Sequence, residues 1–102
     1  MNRTQRFERL IRNNRLILIL FYKEECTACE TMEVILKIVR QRLSDRLPIA
    51  RLNVAQYADI AKKYQAKQLP LCLLFKDGEL IFRQSDVVPS KTILALYEES
   101  SV

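Results

Sequence analysis

The chain has 102 residues, 49% of them hydrophobic and 28% charged, which is room for one soluble globular domain with a core that needs no disulfide cross-links. Seventeen Lys and Arg against twelve Asp and Glu leave a formal net charge of +5, but no nucleic-acid motif accompanies that excess, which argues against a nucleic-acid-binding module. No stretch approaches the roughly 20 apolar residues of a membrane-spanning helix, and three cysteines, an odd and small number, argue against a secreted disulfide scaffold.

Residues 3–13 carry Phe7, Leu10 and Ile11 and read as a short amphipathic helix with those three side chains turned inward. Much of the positive charge lies in Arg3, Arg6, Arg9, Arg12 and Arg15. Spaced three apart, these arginines drift around a 3.6-residue helix and form no stripe, so they read as a solvated face. Leu16 to Tyr22 is apolar over seven residues, as a strand buried on both faces is. A basic start before an apolar run imitates a secretory leader. However, Lys23-Glu24-Glu25 follows without a small-residue cleavage site, so the expected location is the cytoplasm.

Cys26-Thr27-Ala28-Cys29 comes next, and then a helical pattern to about Leu43. Met32, Leu36, Val39 and Leu43 recur on one face, with Glu33 and Lys37 on another. Pro48 is expected to stop that helix. Ile49 to Val54 reads as a second strand, and Tyr57, Ile60, Ala61 and Tyr64 mark a third helix. Leu71 to Phe75 is another apolar run. Asp77-Gly78 separates it from Leu80-Ile81-Phe82, a hairpin signal because both turn residues must tolerate φ > 0. Pro89-Ser90 opens a last helix carrying Ile93, Leu94, Leu96 and Tyr97, with Ser90 as its expected N-cap and Lys91 in its first turn. The order α-β-α-β-α-β-β-α predicts a three-layer α/β/α domain over residues 1–102. Its four-stranded mixed sheet would have the first two strands parallel through a right-handed crossover and the last two antiparallel.

The C-x-x-C stands where a buried strand ends and a long helix begins. A helix N-terminus offers unpaired N–H groups and the positive end of the dipole, and both stabilise a thiolate. Cys26 would lie at the cap and Cys29 one turn in, more shielded. Cys26 is therefore the expected attacking thiol and Cys29 the resolving one. Metal is the main competitor. A structural zinc site takes four ligands, usually Cys and His, and the chain has no His and only one C-x-x-C. Cys72 with a carboxylate would complete such a site only by coincidence, and an iron–sulfur cluster would have to be shared between two chains. Two cysteines serving only as small apolar residues is the remaining alternative. No metal and no bound cofactor are expected.

Phe21-Tyr22-Lys23-Glu24-Glu25-Cys26-Thr27-Ala28-Cys29 resembles the active-site segment of the thioredoxin family. Leu52-Asn53-Val54 resembles its second parallel strand. Leu69-Pro70-Leu71, with Leu74-Phe75-Lys76-Asp77-Gly78-Glu79 after it, resembles its cis-proline loop and final hairpin. The match covers nearly the whole chain but lacks the family's usual extra first strand. The resemblance implies a thioredoxin-like fold and a cis Leu69–Pro70 bond facing Cys26, with Leu69 presenting its backbone to an extended substrate. An ordinary strand-start proline is the alternative for Pro70. Thr27, Ala28, Val87 and Val88 complete the implied contact surface. The implied activity is that of a monomeric thiol–disulfide oxidoreductase acting on disulfide-containing proteins. An external electron donor such as a flavin-dependent reductase would feed it, with no nucleic-acid or membrane partner. The alternative is a thioredoxin-fold binding or adaptor module using Leu69, Val87, Val88 and the basic first helix.

Several positions depart from the family pattern. Glu25 stands where the family has Trp, and Thr27-Ala28 where it has Gly-Pro. The family's buried Asp falls on Leu20, its helix proline on Val34, and a loop glycine near Val87-Val88. Glu25, with Glu24 and Glu30, is expected to raise the Cys26 thiol pKa, with Lys23 and Lys67 in partial opposition. Without the buried acid, deprotonation of Cys29 needs water or another group. Val34 predicts a straighter helix. These departures point to a specialised substrate. Cys72 is expected to pack in the core.

Overall fold

Seven consecutive apolar residues, Leu16–Tyr22, form the strand β1 around which the computed structural model of residues 1–102 is organised. Every second side chain of a strand points to the same face. Leu16, Leu18 and Leu20 therefore join one core, and Ile17, Ile19 and Phe21 join the other. The two cores contain 12 and 11 buried residues, so β1 has no solvent-facing side. That is why its sequence shows no polar alternation.

Around β1 the chain places α1 (Arg3–Asn13), α2 (Thr27–Leu43), β2 (Ile49–Asn53), α3 (Ala58–Lys63), β3 (Leu71–Lys76), β4 (Glu79–Ser85) and α4 (Ser90–Ser100). The sheet order is β2-β1-β3-β4. β1 and β2 are parallel, while β1–β3 and β3–β4 are antiparallel. The four-stranded mixed sheet read from the sequence is therefore the sheet observed. α2 and α4 supply Met32, Leu36, Val39 and Ile93 to the core that holds Leu20, and α1 and α3 supply Phe7, Ile11 and Ile60 to the other. Fully burying such a side chain contributes roughly 1.5–3 kcal/mol. Tyr64, just after α3, packs edge-on to Phe7 and Phe75 at 5.6 and 5.8 Å between ring centroids. These rings fasten the shortest helix to the sheet.

The local signals operate as their chemistry dictates. Asn2 caps α1 by a reciprocal pair of bonds with Gln5: the Gln5 N–H donates to Asn2 Oδ1 at 2.8 Å and the Asn2 N–H to Gln5 Oε1 at 3.0 Å. Asp77 and Gly78 have φ of 51° and 83° and join β3 to β4 with Lys76 opposite Glu79, a two-residue turn of the primed type.

Three expectations need correction. Leu10 is 38% exposed, because Phe7 and Ile11 at i,i+4 define the inward line and Leu10 falls on its flank. α2 ends at Leu43, before Pro48. Ser44 adopts φ 51° and opens a single 3-10 turn, Ser44–Arg46, so backbone handedness and not proline stops the helix. Pro48 instead accepts the Leu18 N–H at 3.0 Å as β2 begins. Pro89, not Ser90, is the N-cap of α4, with no side-chain capping bond.

Candidate active site

Strand register brings three loops to one end of the sheet. β3 runs antiparallel to β1 with Leu71 opposite Phe21, so the loop leaving β1 and the loop leading into β3 are neighbours. Ser85, the last residue of β4, also pairs with Leu71, which delivers the loop before α4 to the same place. Cys26 and Cys29 follow the first loop, Leu69–Pro70 closes the second, and Val87–Val88 lies in the third. The Asp86 N–H donates to the Pro70 carbonyl at 2.8 Å, tying the second loop to the third.

Cys26 and Cys29 are joined by a disulfide, with their Cα atoms 5.2 Å apart. Cys26 is the N-cap of α2. Its backbone is extended, and its Sγ accepts the Cys29 N–H at 3.1 Å. The sulfur thus occupies the place an N-cap hydroxyl would take, against an otherwise unpaired helix N–H and the positive end of the dipole. Cys26 is 9% exposed and Cys29 3%, so the outer sulfur belongs to Cys26. Thr27 is exposed and Ala28 half-buried at the first turn of α2. α2 then runs unbroken, with Val34 on its exposed side.

The Leu69–Pro70 bond is cis, with Pro70 buried and Leu69 half-buried. Val87 is half-buried. Val88 is not available as a contact side chain, contrary to the sequence expectation. It is 0% exposed in the α2-side core, and its N–H donates to Met32 Sδ at 3.4 Å. A branched apolar side chain beneath α2 gains more by joining that core than by facing water, so this part of the surface reduces to Val87.

The core that the inner face of α2 joins is apolar. Leu20 and Cys72 sit directly opposite each other on β1 and β3, both 0% exposed and in the same core as Met32. Burial pushes the Cys72 thiol up to about 12 from 9.0. At neutral pH it is a packed thiol and not a nucleophile. The raised value has a stability consequence. Between those two pH values the folded state keeps a proton that the unfolded state has lost. The stabilisation is therefore complete below pH 9 and is lost as pH rises toward 12. In a Cys26→Ser, Cys29→Ser background, where no exchange can occur, urea unfolding should lose about 1.4 kcal/mol per pH unit above pH 9. Adding Cys72→Ala should lower that slope by the Cys72 share, since a cavity cost does not depend on pH, and leave what Tyr64, whose pKa burial also raises, contributes above pH 10. Equal slopes with and without Cys72 would contradict the assignment.

Two features of the site escaped the sequence reading. Asn53 is only 6% exposed. Its Oδ1 accepts the Ala55 N–H at 2.8 Å and its Nδ2 donates to Glu24 Oε1 at 3.3 Å. A buried amide must be paired in this way, and here the pairing fixes a carboxylate beside the cysteines. The available signal was a lone polar residue between Leu52 and Val54. Arg51 binds Glu33 through one edge of its guanidinium, Nε to Oε1 at 2.8 Å and Nη2 to Oε2 at 2.7 Å. It also lies 4.8 Å over the Tyr22 ring. The Glu33 bond raises the Arg51 pKa further above its ordinary range. Glu25, directly before Cys26, is exposed with φ 53°, a left-handed conformation that costs a glutamate about 1 kcal/mol.

The family model described as thioredoxin matches residues 1–99. Thioredoxin Y2, chloroplastic, of Arabidopsis thaliana is 33% identical over 95 residues, covering 92% of this chain and 57% of that protein. A thioredoxin-like protein of Synechocystis is 32% identical over 71 residues, covering 70% of this chain and 68% of that protein. Mitochondrial thioredoxin 3 from Saccharomyces cerevisiae, in its oxidized form, superposes with a TM-score of 0.83 at 26% identity, covering 94% of this chain and 89% of that one. The chain spans a little over half the length of the plant relatives it matches, 57, 53 and 55%.

Proposed function

This chain belongs to the thioredoxin family, and on that premise we propose that it is a thiol–disulfide oxidoreductase that reduces protein disulfides. The observation that carries the reading is Cys26 at the N-cap of α2, bonded to Cys29 and receiving its N–H.

In the reduced protein that N–H and the helix dipole stabilise a Cys26 thiolate. The thiolate attacks one sulfur of a substrate disulfide, forms a mixed disulfide and expels the other substrate sulfur as a thiolate. Cys29 loses its proton and attacks Cys26, which releases the second substrate thiol and closes the Cys26–Cys29 bond. The two electrons gained by the substrate leave the protein oxidised, and an external donor such as a flavin-dependent reductase restores it. With Leu20 where the family has its buried acid, the proton of Cys29 passes to water or to the departing thiolate.

Thr27, Ala28, Leu69, Pro70 and Val87 form the contact surface for an extended substrate, with the Leu69 backbone as its main-chain partner. All of these residues lie on one chain, which supports action as a monomer. A small, odd number of cysteines with a single reducible pair fits a reducing compartment, and the proposed one is the cytoplasm. Neither a nucleic acid nor a membrane enters the reaction.

Reduction of insulin by the protein in the presence of dithiothreitol tests the activity. Precipitation well ahead of dithiothreitol alone is expected, and no acceleration would leave only a binding role. Redox titration of the pair tests the direction of electron flow. A potential near or below about −220 mV supports a reductase, and one near about −120 mV would make the protein an oxidant.

A further inference from the structure

The disulfide opens onto a hollow of about 160 Å³ whose charged lining is Glu24, Glu25, Glu30 and Glu33 against Lys23 and Arg51. Arg51 and Glu33 neutralise each other in their two-point ion pair. Three carboxylates and one ammonium remain beside Cys26, a net charge of −2 in a chain whose total is +5. The three carboxylates are carried by segments that stand close to the sulfur. Glu25 is its chain neighbour, Glu30 lies in the first turn of α2, and Glu24 is held by the buried amide of Asn53 at 3.3 Å. In the adjoining loops, exposed Lys67 and Asp86 offset each other.

We propose that this acidic rim selects disulfides flanked by basic residues, so that the protein's substrates present Lys or Arg next to the cysteine that Cys26 attacks. This rests on the oxidoreductase reading and names its substrate class. The argument is one of range. At about 0.1 M salt the screening length is roughly 10 Å. α1 packs on the opposite face of the sheet and its Arg3 is engaged by the Gln56 carbonyl and the Tyr57 ring, so the carboxylates that line the hollow with the disulfide are the charges an approaching substrate meets at contact. Like charges juxtaposed at contact disfavour an acidic partner, and opposite charges raise the encounter rate of a basic one. The chemistry is the exchange already described: the substrate disulfide gains two electrons and the Cys26–Cys29 pair loses them.

The test uses three synthetic peptides, each with one internal disulfide, whose flanking residues are Lys, Gln or Glu. Protein reduced beforehand and freed of dithiothreitol is mixed with each, and the second-order rate is followed by the appearance of free thiols. At low ionic strength the Lys peptide should react on the order of tenfold faster than the Glu peptide. That ratio should collapse in about 0.5 M salt, where the screening length is only a few ångströms. In a Glu24→Gln, Glu25→Gln, Glu30→Gln variant the ratio should fall toward one. These substitutions also alter the Cys26 thiol itself, but that change affects all three peptides alike and leaves the ratio to report the rim. Equal rates for the three peptides at low salt, or a faster Glu peptide, would overturn the inference and leave the oxidoreductase reading standing. No reaction with any peptide would remove that reading and the inference with it.

Discussion

Cys26→Ser is expected to lower disulfide reduction to the rate of the chemical reductant alone, while Cys29→Ser is expected to attack once and stop. The difference follows from the placement of the two sulfurs. Cys26 caps α2 and is the more exposed of the pair, and Cys29 lies inside the first turn. A serine hydroxyl at the cap still accepts the helix N–H, so the fold keeps its cap. It does not ionise near neutral pH and forms no bond to a substrate sulfur. Every turn of the cycle begins with that bond, so the loss is complete. Cys29→Ser leaves the attacking thiolate and its N–H donor in place, because the donor is backbone. The mixed disulfide then lacks its resolving thiolate and accumulates. Mixing each reduced variant with a disulfide substrate, without free reductant, and weighing the product by mass spectrometry separates the two cases. The Cys29→Ser protein should carry about one substrate per chain and the Cys26→Ser protein essentially none. The opposite pattern would exchange the roles of the two cysteines.

The legible parts of this molecule are those in which one physical requirement dominates a stretch of chain. β1 is apolar throughout because both its faces are covered, and Asp77-Gly78 stands out because two successive left-handed residues tolerate few other side chains. The position of Cys26 was readable for a similar reason: it stands between an apolar run and a helical one. Features decided by tertiary context were not. Val88 sits in a loop beside Val87, and nothing local says which of two identical residues turns inward. Met32, fifty-six positions away, makes that choice. Ser44 ends α2 by backbone handedness, with no glycine to announce it. Asn53 was visible as a polar residue in a strand, but its partner Glu24 lies across the β1–β2 pairing, and only the register brings them together. The same pairing orders the rim: Arg51 reaches Glu33 because β2 lies alongside β1 and under α2. Without that contact Glu33 would count among the free carboxylates.

Leu20→Asp should cost about 3–5 kcal/mol at pH 7, a large share of the 5–15 kcal/mol that stabilises a typical domain. Leu20 is 0% exposed at the centre of β1, opposite Cys72 and in one core with Met32, Leu36 and Val88. Removing the leucine forfeits roughly 1.5–3 kcal/mol of apolar burial, and a carboxyl without a partner adds at least another 1–3 kcal/mol. Each kcal/mol lowers the melting temperature of a chain this size by about 4–8 °C, so a fall of at least about 12 °C is expected. Acid should relieve part of the loss. Burial raises the folded pKa of the new carboxyl above its unfolded value near 3.9. Between those two values the folded state binds more protons, so the variant regains stability as pH falls from 7 toward 4 and the parent shows no matching gain. Urea unfolding of both proteins across that range measures the difference. A cost under about 1 kcal/mol with no pH dependence would mean that water or a polar group reaches Leu20. The apolar character of this core position would then be wrong, and with it the expectation that the Cys29 proton leaves through solvent or the departing thiolate rather than through a buried acid.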